Sequence, residues 1–188
     1  MEKIKRCLWA EKNEKMKHYH DNVWGKPVRD DREMFRMLVL EMFQSGLSWN
    51  TILQREELFD EEFENFEIEK VGNFSEEKIE KMLENGKIIR HRKKIVSSIN
   101  NAKKVLEIQQ KYGSFSKFIW RYVFDTPVIN PWSTPEEVPS KNMLSDKICE
   151  DLKKEGFQFI GSTTIYSFLQ AIGVINDHLT SCDFKYEE

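Results

Sequence analysis

Apolar residues recur along most of this chain at intervals of three and four, the spacing of one face of an α-helix. Asp30-Asp31 can cap a helix from Arg32 to about Gln44, with Phe35, Leu38, Val39 and Met42 at helical spacing. Ser48 can cap the next, which contains Trp49, Ile52 and Leu53. Ser75 opens Glu76–Glu84, whose acids sit in the first turn where the helix dipole favours them, and Gly86 ends it. A longer helix from about His91 to Tyr112 carries Ile95, Ile99, Ala102 and Leu106 as its stripe, with Lys94, Asn101 and Gln109 off it. Gly113 stops that helix, and Ser114 or Ser116 starts another through Phe118, Ile119, Tyr122 and Val123. Pro127, Pro131, Pro135 and Pro139 make Asp125–Met143 a long loop. Ser145 caps a helix to about Lys154, Gly156 interrupts it, and a last helix runs from about Ser162 to Ile172. Sustained period-two alternation, repeats and low-complexity tracts are missing, so the predicted fold class is all-α.

Composition narrows this picture. The chain has 188 residues, of which 39% are apolar and 12% aromatic. That is enough for one domain with a real core, and too apolar for a disordered chain. No run of about 18 apolar residues occurs, which excludes a transmembrane helix. Met1–Arg6 leads into no signal-peptide core, so a cytoplasmic protein is expected. Cys7, Cys149 and Cys182 are an odd set without a CxxC pair, which argues against a disulfide framework or an ordinary zinc ribbon.

Charge changes the picture further. The net charge of -3 argues, taken alone, against a nucleic-acid partner. It is an average of two opposed blocks. Glu56–Glu84 holds twelve acids against Lys70, Lys78 and Lys81. Gly86–Lys117 holds Lys87, Arg90, Arg92, Lys93, Lys94, Lys103, Lys104, Lys111 and Lys117 against Glu107 alone. Such a basic run is either a solvated helix face or a surface that meets phosphates.

Metal chemistry is available at the two ends. His178 and Cys182 lie four apart, on one helical turn, and Cys7 and His20 lie thirteen apart near the N-terminus. Two Cys and two His make a complete tetrahedral zinc set with no open position, suited to structure rather than catalysis. His18 is an alternative ligand that spacing does not exclude. Asp177, directly before His178, is read as a support for that ligand.

Leu152–Ile165 has the shape of a helix, a glycine, a short apolar hairpin and a second helix opened by Gly161. An ordinary helix–helix turn has this shape too. Hairpins of this kind aim backbone N–H groups at phosphate, and this one resembles those of the helix-hairpin-helix glycosylases. Members with lyase activity carry a lysine after the hairpin glycine. Here Ser162-Thr163-Thr164 stands there, so no Schiff base forms and water is the expected nucleophile.

Three aromatic clusters remain: Cys7-Leu-Trp9, Tyr19-His-Asp-Asn-Val-Trp24-Gly25 and Glu41–Trp49. Glu41 is the only charge in Met37–Phe43, and a carboxylate in apolar surroundings is a site candidate. Rings beside an acid suit a flat, electron-poor ligand.

Taken in order, these motifs resemble the bacterial 3-methyladenine DNA glycosylase I family across nearly the whole chain. The resemblance rests on Cys-x-Trp at 7–9, Tyr-His-Asp-Asn-x-Trp-Gly at 19–25 and Gln-x-Gly-Leu-Ser-Trp at 44–49. It continues with Ile-Ile-Arg-His-Arg-x-Lys-Ile at 88–95, Gly156-Phe-x-Phe-x-Gly161, Tyr166-Ser-Phe and Asn176-Asp-His. It implies a helix-hairpin-helix glycosylase fold in one domain, residues 1–188. A helical core at about 26–175 would carry a terminal lobe of about 1–25 and 176–188, clipped by one structural zinc ion on Cys7, His20, His178 and Cys182. It implies a base pocket of Tyr19, Glu41 and Trp49 with Trp9 nearby, Glu41 and Tyr19 being nearest the chemistry. The DNA contacts would come from Gly161, Ser162, Thr163, Arg90, Arg92 and Lys93. The partner would be duplex DNA containing alkylated adenine, met by a monomer. Met42, Phe43 and Ser45 replace the family's usual small residues, so Met42 and Phe43 are expected to line the pocket and bear on substrate range. Lys93, where the family often has Gly, should strengthen phosphate attraction. The rival reading is a non-catalytic, zinc-containing helical protein that recognises damaged or distorted DNA. A third is a helical zinc protein that meets other proteins through Glu56–Glu84.

Overall fold

The computed structural model describes residues 4–185; positions 1–3 and 186–188 of the expected domain lie outside the described residues. The helices are α1 (Glu14–Asn22), α2 (Asp31–Gln44), α3 (Trp49–Leu53), α4 (Glu56–Glu62) and α5 (Ile68–Gly72). They continue with α6 (Glu76–Asn85), α7 (Arg92–Tyr112), α8 (Phe115–Trp120), α9 (Met143–Lys154) and α10 (Ser162–Ala171). Two residues of strand β1 (Val128–Ile129) pair in parallel with β2 (Ile175–Asn176). The all-α expectation therefore holds for the bulk of the chain, with this bridge tying the proline loop to the C-terminal segment. No helix among the described residues is long and apolar enough to cross a membrane.

Helix α2 is the centre. Met34, Phe35 and every residue from Met37 to Phe43 are buried. A helix that is apolar all round belongs inside a protein, and α3, α7, α8 and α10 pack about it. Its N-terminus is set by Asp30, whose carboxylate accepts from the Glu33 N–H at 2.9 Å. Ser48, Ser75 and Ser114 cap α3, α6 and α8 as the sequence predicts.

Asp31 does more than begin α2. Its carboxylate accepts from the N–H groups of Phe115 and Ser116 and from the Gln109 amide, at 2.7–2.8 Å. One side chain thus satisfies the first turn of α8 and docks it on α2. Asp31→Ala is expected to lose about 2–3 kcal/mol, since the N–H groups left behind remain partly buried. In a thermal melt this is a fall of roughly 5–10 °C for a chain of this size; a shift under about 2 °C would refute the role.

Several expectations are corrected. The stripe of α7 is broader than predicted: Val105 and Ile108 are buried, Leu106 is only half-buried, and Lys94 and Asn101 are buried as well. Their polar ends are occupied by backbone groups, as described below. The cap of α9 is Asn142, not Ser145; the two form a reciprocal capping box, with Ser145 at the third helical position. The acid block is helical before Ser75 as well, in α4 and α5. Phe59, Phe63, Phe66 and Val71 reach the core from α4, the turn after it and α5, while the acids stay mostly at the surface.

Candidate active site and metal centre

Two neighbouring residues of α1 face two different places. Tyr19 turns to a cavity of about 370 Å³, and His20 turns to a buried Cys/His cluster.

The cavity lies where α1, α2, α3 and α10 meet. Trp9, Tyr19, Trp24 and Trp49 make aromatic walls; Glu41, Gln44, Ser167 and Gln170 bring polar groups; Pro135 and Val138 come from the proline loop. The Tyr19 and Trp49 ring centres are 5.0 Å apart, and Trp9 meets Tyr19 at 6.3 Å and Trp24 at 5.1 Å. Glu41 is 5% exposed and has no hydrogen-bond partner among the described residues. Burial pushes its carboxyl up to about 8. Burial, and then the nearby Glu41 charge, hold the Tyr19 hydroxyl well above the usual phenol range. The Trp49 indole N–H is buried without a partner among the described residues. Such polar groups, unsatisfied inside an aromatic hollow, are costly unless a ligand completes them.

Lys94 explains how α2 ends. Its ammonium donates to the carbonyls of Phe43 and Ser45, each at 2.8 Å. A cation at a helix C-terminus complements the dipole. It fixes the exposed turn Ser45-Gly46-Leu47 just before Trp49. Lys94 also lies 5.8 Å from the Phe159 ring centre, so it links the hairpin to the cavity's helix. The expectation that Met42 and Phe43 line the cavity is overturned. Both are fully buried in the core, Phe43 against Phe59 at 4.9 Å and Met42 against the Asn101 amide at 3.3 Å.

In the second cluster, Cys7, His20, His178 and Cys182 place one ligand atom each within 4.8 Å of one another, all buried. The observed edges are 3.2 Å between His20 Nε2 and His178 Nδ1, 3.4 and 3.5 Å from Cys182 Sγ to the two nitrogens, and 3.9 Å from Cys7 Sγ to His178 Nδ1. A tetrahedron with metal–nitrogen bonds of about 2.0 Å and metal–sulfur bonds of about 2.3 Å has edges of roughly 3.3–3.8 Å. The group can therefore bind a metal ion. The far sides of both rings carry the protons: His20 Nδ1 faces Asp21 at 2.7 Å, and His178 Nε2 faces the Trp24 carbonyl at 3.0 Å. Two lone-pair nitrogens then point at one spot, an arrangement that a cation relieves. Arg6 holds Asp21 in turn, at 2.9 Å. His18 is exposed and lies outside the cluster, which removes the alternative ligand. Gly25 is required here: its φ is +77°, and a Cβ would meet the His178 ring at 3.0 Å.

Asp177 does not support His178. Asp21 and the Trp24 carbonyl do that. Asp177 instead accepts from Asn130, Trp132, Tyr166 and Gln170, at 2.5–2.7 Å, and so ties the proline loop to α10 beside the cavity.

The hairpin is braced from α7. Asn101 accepts from the Gln158 N–H at 2.8 Å and donates to its carbonyl at 2.9 Å; Asn100 donates to the Gly156 carbonyl at 3.0 Å. Gly161 caps α10 with extended backbone and no side-chain cap, and a Cβ there would meet nothing within 4 Å. Ser162 and Thr163 follow in the first turn, with the Ser162 hydroxyl 2.9 Å from that of Ser145. Arg90 and Lys93 are exposed and have no carboxylate partner among the described residues. Arg92 differs: Glu76 and Glu80 of the acid block engage its guanidinium.

Sequence reasoning passed over Lys94, Asp21, Trp24 and Gln170. The signal for Gln170 was present, since it is the lone amide in the apolar run Phe168–Ile172. For Lys94 there was none, because a lysine among basic neighbours looks solvated.

The methyladenine glycosylase family model matches residues 9–186. The chain is 39% identical to the DNA-3-methyladenine glycosylase 1 of Escherichia coli over 179 residues, 95% of this chain and 96% of that one. It is 38% identical to the DNA-3-methyladenine glycosylase of Haemophilus influenzae, over 96% of this chain and 97% of the relative. Among solved structures, the 3-methyladenine DNA glycosylase I of Staphylococcus aureus superposes with a TM-score of 0.93 at 37% identity, covering 97% of each chain. A variant of 3-methyladenine DNA glycosylase I in complex with 3-methyladenine has the same score and identity, over 97% of this chain and 98% of that one. With the match running almost from end to end in both sequence and structure, the chain belongs to the methyladenine glycosylase family.

Proposed function

We propose that this protein is a monofunctional DNA glycosylase that flips 3-methyladenine out of alkylated duplex DNA and hydrolyses its glycosidic bond. The observation that carries this reading is the Glu41 carboxyl, without a partner among the described residues, inside an aromatic cavity. Its relatives' names and the full-length match support it. Methylation at N3 makes the nucleobase a cation and a good leaving group. Water oxygen bonds to the sugar C1′, the C1′–N9 bond breaks, the base departs with the electron pair as a neutral molecule, and one water proton passes to solvent. The protein's task is to extract and hold the base, and unstacking costs only a few kcal/mol for a damaged one. Trp49 stacks on the base, Glu41 reads its polar edge and complements its charge, Tyr19 adds a hydroxyl contact, and Trp9 closes the wall behind Tyr19. No amine stands at Ser162–Thr164, so the reaction ends at the free base.

In this reading the uncapped N-terminus at Gly161, Ser162 and Thr163 approaches a phosphate, with Arg90 and Lys93 adding charge and Arg92 held back by its ion pairs. The resident metal is one zinc ion on Cys7, His20, His178 and Cys182. When bound it supplies a closed cross-link between the chain ends and no reactive position. The chain acts as one domain, a helical core at about 26–175 carrying a lobe of 1–25 and 176–188, and as a monomer in the cytoplasm. The only support for the binding-only reading was the departure from the family pattern at Met42 and Phe43, and both lie in the core, outside the cavity's lining.

The test is release of free base from methylated duplex DNA by the pure protein, followed by chromatography. Trp49→Ala should lower release by roughly tenfold or more, the worth of one stacked ring, while melting close to wild type. Folded wild-type protein that binds methylated DNA and releases nothing would overturn the reading.

A further inference from the structure

One polar group of the cavity has its orientation dictated by chemistry behind the wall. Gln170 lines the cavity from α10, and its amide nitrogen donates to Asp177 Oδ2 at 2.7 Å. Asp177 is 1% exposed and receives three further donors. The Tyr166 hydroxyl reaches Oδ2 at 2.5 Å, and the Asn130 amide and the Trp132 indole N–H reach Oδ1 at 2.7 Å each. Four donors on two oxygens use every lone pair and leave no place for a proton. The carboxylate is therefore a pure acceptor, and it can be met only by the N–H end of Gln170. A flipped amide would set its carbonyl oxygen against Oδ2 at contact distance. The Gln170 Oε1 is thus the outward end, with no partner among the described residues.

We propose that Gln170 is a specificity-determining residue: its Oε1, aimed by Asp177 as a positioning residue, accepts a hydrogen bond from the exocyclic amine of the flipped base. This rests on the 3-methyladenine reading above. An N3-methylated adenine carries N–H donors only on its exocyclic amine, which has two hydrogens. Glu41 and Gln170 each bring to the cavity an acceptor without a partner among the described residues. Asp177's negative charge behind the amide strengthens Oε1 as an acceptor. The same arrangement disfavours a 6-oxo purine, whose carbonyl would face a second acceptor at that place. Selection then lies partly in an amide that cannot turn over to suit the wrong base.

The test titrates the protein's tryptophan fluorescence with free 3-methyladenine and with 3-methylpurine, which lacks the amine. Gln170→Leu should weaken 3-methyladenine about tenfold and 3-methylpurine by less than about twofold. Asp177→Asn can offer its own N–H to Gln170 and lets the amide reverse; it should shrink the ratio between the two ligands in the same direction. If either variant folds poorly, Gln170→Met keeps the volume and removes the acceptor. A ratio unchanged from wild type in a folded Gln170 variant overturns the proposal, as does equal weakening of both ligands. Wild-type protein that neither binds nor releases 3-methyladenine overturns the functional reading itself, so the two failures are told apart.

Discussion

Replacing Glu41 with glutamine is expected to lower 3-methyladenine release roughly a hundredfold and, at the same time, to make the protein more stable above neutral pH. The first effect follows from losing a charged acceptor against a cationic base, worth about 1.5–3 kcal/mol for each hydrogen bond to it. The second follows from the same burial that makes the residue useful. In the unfolded chain a glutamate titrates near 4.3; in the fold its carboxyl is pushed up to about 8. A group whose folded value is raised favours folding fully below the unfolded value and loses that contribution as pH climbs through the folded one. Wild-type stability should therefore fall between about pH 4.3 and pH 8, at most by ~1.4 kcal/mol per pH unit and some ~5 kcal/mol in total. Glutamine fills the same space and never ionises, so its melts should lack this slope, meeting the wild type's near pH 4 and lying above them at pH 8. Chemical denaturation at pH 5, 6.5 and 8 with both proteins measures it. Parallel stability profiles would mean that Glu41 is hydrated or paired in solution, and full activity in the variant would remove it from the chemistry. A destabilising acid kept at the centre of the main helix is what a site under functional demand looks like.

The second large effect concerns the chain ends. Elemental analysis should find about one zinc per chain, and the Cys182→Ser, His178→Ala double variant should find none. Losing the ion should cost several kcal/mol, because structural zinc commonly contributes about 10–16 kcal/mol to isolated small domains and this one has a separate core to fall back on. For a chain of this length that corresponds to a melting point lower by roughly 10 °C or more, restored to the chelated wild type by zinc and not by magnesium. The loss should reach the base pocket. His20 follows Tyr19 on α1, and its ring lies 5.2 Å from the Trp9 ring; the His178 ring lies 4.7 Å from that of Trp24. The metal-free protein should therefore bind 3-methyladenine more weakly even below its melting point. Zinc retained at one per chain in the double variant would point to other ligands. Unchanged base affinity in the stripped protein would show that the aromatic wall stands without the clip.

Much of this was legible in the chain. Caps at Asp30, Ser48, Ser75 and Ser114 announced their helices because a side-chain oxygen three residues before a free N–H is a local arrangement. The four metal-binding candidates were legible from residue type and spacing at the two ends, and Glu41 stood out as one acid in an apolar run. Other features were hidden. Helices α4 and α5 in the first part of the acid block were hidden by their carboxylates, although Phe59, Phe63 and Phe66 were there to anchor them. Helix α1 was not predicted, since its inward residues are a Met, a Tyr and a His rather than aliphatics. The net charge of -3 misled while it was read as one number. In the fold the two blocks meet, and Lys87 pairs with Glu61 at 2.5 Å while Arg92 is held by Glu76 and Glu80. Those contacts remove part of the basic surface that the sequence seemed to offer.

By itself, then, the sequence determined the helical class, most helix starts, the ligand types at the ends and the chemistry of the central acid. All of these depend on neighbours within a turn or two, or on residue type alone. Only the tertiary structure decided which side each of those residues faces. It turned Met42 and Phe43 into the core, set Lys94 on the carbonyls that end α2, excluded His18, and gave Asp177 to Gln170 rather than to His178. The reason is that a buried polar group must find a partner wherever the packing brings one. For Lys94 that partner is 51 residues away in the chain, and for His178 and His20 the separation is 158, distances over which sequence spacing carries no direction.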